Sequence, residues 1–274
     1  MPKISVIMGV YNCKNNELLK KSIDSILSQT FKDFEFIICN DGSTDDTLVR
    51  LKQIETMDSR IRIISYDKNQ GLNHALNTCL EVAKGEYIAR QDDDDLSKPE
   101  RLRIQMGFLN EHPEYAMVGT CADIFDDDGV WGEYLVPERP LNDDFLWNSP
   151  FMHPTMLFRK NAVLSGGGYR EAKETRRCED YDLFMNLYAK KYKGYNIQEK
   201  LYYYRINRNE KRKHRPMKYR VDEMVVRFRG FKNMKILVKG MPYVFKPIIV
   251  GLMPQALLKL SLIHISEPTR PEPI

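Results

Sequence analysis

Apolar residues follow two alternating patterns over the first 120 positions. Short and nearly continuous apolar runs occupy residues 4–10, 35–39, 61–65, 86–89 and 115–119. Runs this short and this rich in β-branched residues read as strands buried on both faces. Between them, residues 17–28, 44–55, 72–83 and 99–111 space their apolar positions as helices do. Strand and helix alternate about every 25–30 residues, which predicts right-handed βαβ units on a mostly parallel sheet flanked by helices, an α/β fold. After residue 120 the rhythm changes. Residues 122–125 and 130–134 flank Asp126-Asp127-Asp128-Gly129, a hairpin signal. Residues 155–158 form a further strand candidate and 179–190 a helix candidate. From Glu210 onward basic residues interleave with aliphatic and aromatic ones.

Composition narrows the class. The chain has 274 residues, 42% hydrophobic and 29% charged, which excludes a disordered, collagen-like or wholly membrane-embedded protein. The net charge of +4 hides an asymmetry. Residues 200–239 hold 14 Lys/Arg against 3 Asp/Glu, an excess of +11, so the remainder stands at 4 − 11 = −7. Five cysteines, odd in number and without a C-x-x-C pair, argue against a disulfide framework or a zinc site and for a reducing compartment. With no secretory signal pattern and no apolar run of spanning length, a cytoplasmic protein is expected.

Open parallel sheets bind ligands beyond the carboxyl ends of their strands, so the segments after each strand carry the candidate chemistry. Val10-Tyr11-Asn12 follows the first strand and lacks the glycines of a dinucleotide or P-loop site. Asp41-Gly42-Ser43-Thr44 follows the second. It reads either as a helix entry capped by Ser43 or Thr44, or as a site where Asp41 accepts a hydrogen bond from a base or sugar. Arg90-Gln91 and then Asp92-Asp93-Asp94-Asp95 follow the fourth. Four carboxylates at a strand end repel one another unless a cation neutralises them. In an extended chain Asp92 and Asp94 share a side. Hard oxygen donors of this kind suit Mg²⁺ or Mn²⁺ shared with a diphosphate. Glu179 and Asp180 open a helix, where the macrodipole alone accounts for acids and a general base is the functional alternative. His153 precedes a strand and, taken alone, reads as a packed or capping histidine before it reads as a ligand.

Six segments, in order, carry a resemblance. They are SVIMGVYN, LLKKSIDSILSQTFKDFEFIICNDGSTDDT, NQGLNHALN, GEYIARQDDDDLSKPERLRIQ, HPTMLFRK and CEDYDLFMNLYAK. Residues 3–190 resemble family 2 of the inverting, nucleotide-sugar-dependent glycosyltransferases, which have the GT-A fold. The resemblance implies a nucleotide-sugar donor, a UDP-sugar above others, with Val10, Tyr11, Asn12 and Asp41 toward the base and Arg90, Asp92 and Asp93 in the donor site. It places Asp92-Asp93-Asp94 at the D-x-D position, with Asp94 on a Mg²⁺ or Mn²⁺ ion. Asp180 becomes the catalytic base, with Glu179 and His153 as possible additional site residues. Asp93 departs from the pattern, whose middle residue is usually small and uncharged, and leaves open which carboxylate ligates the metal. A glycan or polyprenyl-linked acceptor and a role in surface polysaccharide assembly follow from the same resemblance. Two other classes are weighed, a nucleotidyltransferase acting on sugar phosphates and a non-catalytic nucleotide- or sugar-binding module. The first would want a Gly-rich basic loop after the first strand, and the Glu179-Asp180 pair argues against the second.

The expected organisation is a glycosyltransferase domain over 1–209, with a nucleotide-binding half to about 120 and an acceptor half after it. A helical, basic, amphipathic segment over 210–259 follows. Its prolines, Pro242, Pro247 and Pro254, are expected to prevent one long spanning helix, so the segment should lie on an anionic membrane surface, at the inner face of the cell membrane. Nucleic acid is not expected as a partner, since no nucleic-acid-binding motif accompanies the basic residues. Residues 260–274 resemble translated sequencing-adapter DNA and are expected to be a non-native tail.

Overall fold

A computed structural model describes residues 1–208 and 215–253; the expectations for 260–274 and for Pro254 lie outside the described residues. The predicted rhythm appears as β1 (Ile4–Val10), α1 (Asn16–Leu27), β2 (Phe34–Asn40), α2 (Thr47–Glu55), β3 (Ile61–Ser65), α3 (Leu72–Val82), β4 (Tyr87–Arg90), a short β5 (Leu96–Ser97) and α4 (Arg101–Glu111). There follow β6 (Met117–Asp126), β7 (Gly129–Tyr134), β8 (Leu157–Arg159), α5 (Lys160–Gly166), α6 (Glu179–Ala189), β9 (Gly194–Arg205), α7 (Met217–Asn233) and α8 (Leu237–Leu252).

One sheet runs β3-β2-β1-β4-β8-β6-β9-β5, with β7 hydrogen-bonded to β6. β1 to β4 pair in parallel, as the alternation predicts. Side chains in β1 show why its run is almost entirely apolar. Ile4, Val6, Met8 and Val10 point to a layer built with Leu19, Ile23 and Ile26 of α1 and Leu102 of α4. Ile7 points to the opposite layer, with Leu76 and Leu80 of α3 and Phe184 of α6. A strand covered on both faces leaves little room for polar residues; Ser5, the polar exception in β1, is buried and donates to Glu35 at 2.7 Å.

The half of the chain after residue 115 differs from the expectation. Residues 115–119 do not continue the parallel series, because β8 inserts antiparallel between β4 and β6. Residues 117–126 form one strand rather than two, and it turns at Asp127-Asp128 into β7, where Gly129 has φ +113°. Strand β9 is parallel to β6 along most of its length and was not predicted, since its sequence GYNIQEKLYYYR mixes polar and apolar positions without period.

The C-terminal helices pack on the domain. Arg227 of α7 is buried; it donates to the carbonyls of Leu146 and Trp147 at 3.0 Å each and pairs with Glu223 at 2.8 Å. Pro242 and Pro247 lie inside α8 instead of ending it. Among the described residues no helix is long and apolar enough to cross a membrane.

Candidate active site

The carboxyl ends of β1 and β2 open a cleft of about 190 Å³ lined by Val10, Tyr11, Asp41, Asn69, Gly71 and Leu72. Tyr11 is exposed at its mouth. Asn12 takes φ +46°, a conformation asparagine tolerates. Its side chain accepts from Thr44 N–H at 2.8 Å, while its own N–H donates to Ser43 Oγ at 3.0 Å. Ser43 and Thr44 therefore clamp the two loops together and do not cap the helix. α2 begins later, at Thr47, whose N–H donates to Asp45 at 3.0 Å.

Asp41 is buried and holds the far wall of the cleft. Its Oδ1 accepts from Tyr66 Oη at 2.7 Å and Gln70 N–H at 2.8 Å; its Oδ2 accepts from Asn69 Nδ2 at 2.8 Å and Gly71 N–H at 2.9 Å. Four donors fill the lone-pair positions of a carboxylate, so the loop 66–71 is fastened by this one side chain. Gly42, at φ +64°, sits where a Cβ would lie 2.3 Å from the carbonyl carbon of Lys68. Replacing Gly42 with Ala is expected to cost at least ~2 kcal/mol of stability, from left-handed strain plus overlap with rigid backbone. Thermal melts with and without nucleotide check this, and an unchanged melting temperature would contradict it.

The acidic run is not extended. Residues 93–94 form a turn, so alternation does not decide which carboxylates share a side. Each Asp has a separate environment. Asp92 pairs with buried Arg90. Asp95 is buried and accepts Arg205 N–H of β9 at 2.7 Å. Asp93 is pushed up to about 7 by burial and then by Asp94 and Asp92. Asp94 is the most exposed of the four, yet the protein around the cleft and then Asp92 push it up to about 6. Mutually repelling oxygen donors with one carboxylate open to solvent fit a hard divalent cation. No three His, Cys, Asp or Glu side chains among the described residues close a metal cage; an ion that keeps waters and substrate phosphate oxygens needs only one or two carboxylates.

Arg90 lies at the centre of the site, fully buried, with its Nε unpaired. Asp92, Glu179 and His153 all sense its charge. His153 is buried, its Nε2 is 2.8 Å from Tyr169 Oη, and burial followed by Arg90 holds its basicity well below the usual range, so the ring is neutral. At the start of α6 the acids part company. Asp182 is bound by Arg170 at 2.9 Å and 3.1 Å, as a structural helix-entry acid would be. Glu179 has a buried oxygen with no partner. Burial and then Asp180 raise Glu179 above the carboxylate range, and burial also raises Asp180. The macrodipole alone would have lowered both.

Several residues had no signal of their own. Asn69 opens a recognised segment and Tyr66 lies outside all six, and only the folded loop turns both toward Asp41. Arg101, fully buried beneath the acidic loop, donates to the Arg90 carbonyl and Ser97 Oγ at 2.6 Å each and to Gln91 and Gln105 at 3.1 Å. An arginine in a charged helix start reads as solvated, and only the convergence of β4, β5 and α4 shows otherwise.

Comparison with known proteins agrees with this architecture. The chain is 41% identical over 258 residues to the putative glycosyltransferase EpsE of Bacillus subtilis, covering 94% of this chain and 92% of that protein. It is 34% identical over 215 residues to the O-antigen biosynthesis glycosyltransferase WbnJ of Escherichia coli, covering 77% and 82%. The fold is shared with S. aureus TarS residues 1–349, solved with UDP-GlcNAc, at a TM-score of 0.68 and 20% identity over 89% of this chain and 73% of that one. The chain spans 43% of the longer TarS structure. It is shared too with the Pyrobaculum calidifontis mannosyltransferase PcManGT, solved with GDP-Man and Mn²⁺, at a TM-score of 0.63 and 16% identity, covering 97% and 80%. The model of glycosyl transferase family 2 matches residues 5–167, more than half of the chain, and with these relatives it establishes that the protein is a glycosyltransferase belonging to family 2.

Proposed function

We propose that the protein transfers a sugar, with inversion, from a nucleoside-diphosphate donor, a UDP-sugar, to a hydroxyl of a glycan or polyprenyl-linked acceptor in surface polysaccharide assembly. The observation that carries this reading is the gathering of three groups around buried Arg90: the acidic loop, the neutral His153 and the Glu179-Asp180 pair. The cleft of Val10, Tyr11 and Asp41 lies beside them at the strand ends. WbnJ's role in O-antigen biosynthesis and the nucleotide sugars in the TarS and PcManGT structures support the substrate class.

In this reading residues 1–120 supply the donor half and 121–209 the acceptor half. Val10, Tyr11 and Asn12 line the base slot, with Asp41 holding its wall. Asp180 takes the acceptor hydroxyl proton as that oxygen bonds to the anomeric carbon. The bond from that carbon to the diphosphate oxygen breaks on the opposite face, so the configuration inverts and no covalent sugar–enzyme intermediate forms. Arg90 holds Asp92 in an ion pair at the donor side, and Glu179, short of a partner, is available to a sugar or acceptor hydroxyl. Asp94, with Asp92 and Asp93 beside it, would hold Mg²⁺ or Mn²⁺, which supplies charge neutralisation at the diphosphate. The acceptor is met at an anionic membrane surface on the cytoplasmic side.

The test is a donor screen with purified protein and Mn²⁺ or Mg²⁺, following nucleoside-diphosphate release with and without acceptor. Acceptor-stimulated release from one nucleotide sugar, with an inverted product, is expected. Release of pyrophosphate from a nucleoside triphosphate and a sugar phosphate would instead favour nucleotidyl transfer, and binding without turnover of any donor would favour a binding module.

A further inference from the structure

We propose that the outward faces of α7 and α8 together form a docking surface for an anionic lipid bilayer; the inference rests on the membrane-proximal acceptor proposed above. Both helices bury one face and leave the other apolar. On α7, Val226 and Phe231 face the core, while Val221, Val225 and Phe228 are exposed. On α8, Val244 faces inward, while Phe245, Ile249 and Leu252 are exposed, Leu252 at 71%. Each exposed triplet has the spacing i, i+4, i+7, which at about 100° per residue keeps it within one narrow stripe. The stripes run side by side. Gly240, early in α8, packs against Phe231, late in α7, and Gly251, late in α8, packs against Arg220 and Met217, early in α7. Contiguous exposed apolar surface of this kind marks an interaction site.

Charge selects the occupant. Residues 217–252 hold eight Lys/Arg and two Asp/Glu, a balance of 8 − 2 = +6. One of the two acids, Glu223, is taken by Arg215 and Arg227. Lys218, Arg229, Lys232 and Lys235 are exposed. Lys246 sits 3.4 Å over the ring of Trp147, which is itself half exposed, a pairing suited to a headgroup boundary. A second copy of this face would bring like charge to like charge, whereas an anionic bilayer takes both the cations and the apolar stripe. The surface also continues into the site. The Arg177 guanidinium lies 5.3 Å from the Tyr219 ring of α7, and Arg215 donates to Cys178 Sγ at 3.5 Å, next to Glu179 and Asp180.

Full-length protein is sedimented with phosphatidylcholine vesicles, with and without phosphatidylglycerol, at low and high salt. Two variants are compared: Phe245→Ser with Ile249→Ser, and Lys232→Glu with Lys235→Glu. Circular dichroism melts check folding, and the charge pair decides if the apolar pair does not fold. Binding that requires phosphatidylglycerol, weakens with salt and falls at least about tenfold in each variant is expected, with turnover on a soluble acceptor unchanged. No vesicle binding by the wild type, equal binding to neutral vesicles, or undiminished binding by the variants would overturn the surface. So would variants that convert a dimer to a monomer, since the face would then be a self-association surface. Turnover without vesicle binding overturns only the docking surface; vesicle binding without turnover of any donor overturns only the proposed reaction.

Discussion

Replacing Asp180 with asparagine is expected to lower the rate of sugar transfer by roughly 10²–10⁴-fold while leaving donor affinity nearly unchanged. The amide has almost the carboxylate's shape and keeps its place at the start of α6, but it cannot accept the acceptor's proton. That range corresponds to about 3–5.5 kcal/mol of transition-state stabilisation. A pH profile distinguishes this from a packing defect. Burial pushes Asp180 up to about 6, and a base whose pKa is raised is lost as pH falls through that value. Wild-type turnover should therefore decline on acidification through about pH 6, and the variant should lose that limb. Glu179 interacts with Asp180, so the observed midpoint belongs to the pair. Weakened donor binding with an unchanged rate would make Asp180 a ligand-binding or structural residue.

Asp94→Ala is expected to reduce transfer at least about a hundredfold, near 2.7 kcal/mol, without loss of the fold. The exposed carboxylate of Asp94 is raised by its surroundings and by Asp92, so its ionisation opposes folding above the ordinary carboxylate pKa. Removing it relieves that repulsion, and the variant should melt at or above the wild-type temperature in the absence of metal. Adding Mn²⁺ with UDP should raise the wild-type melting temperature and leave the variant's nearly unmoved. An Asp93→Asn variant that keeps the Mn²⁺ response would assign the ion to Asp94. Full wild-type turnover in chelator would remove the metal from the reaction.

Much of this protein was legible without coordinates, for local reasons. β1 to β4 and the helices between them announce themselves because burial on both faces removes polar positions from a strand, and burial on one face leaves a 3.6-residue period in a helix. The turn at Asp127-Asp128 is a short-range matter of Gly129 and its neighbours. The candidate loops follow from the strand ends, where parallel sheets leave room for ligands.

What sequence alone could not decide depends on segments far apart in the chain. β8 enters antiparallel between β4 and β6, and nothing in the residues of β8 names its neighbours. β9 carries no period because its two faces and its ends meet different surroundings. Pro242 and Pro247 remain within α8, which is held along its length by Phe231 and Arg220 of α7; tertiary packing here outweighs a local helix-breaking preference. The acids show the same division. Asp92, Asp94 and Asp95 are alike as letters, and so are Asp180 and Asp182. Arg90, Arg170 and the backbone of Arg205 tell them apart, pairing Asp92, Asp182 and Asp95. A carboxylate's charge and availability follow from the groups that the fold brings to it, and those groups arrive from as far away as β9. Composition and periodicity determined that this chain would be a parallel α/β protein with acidic loops at its strand ends; only the crossing of distant strands and helices determined which of those acids is paired, which is buried, and which is left open for chemistry.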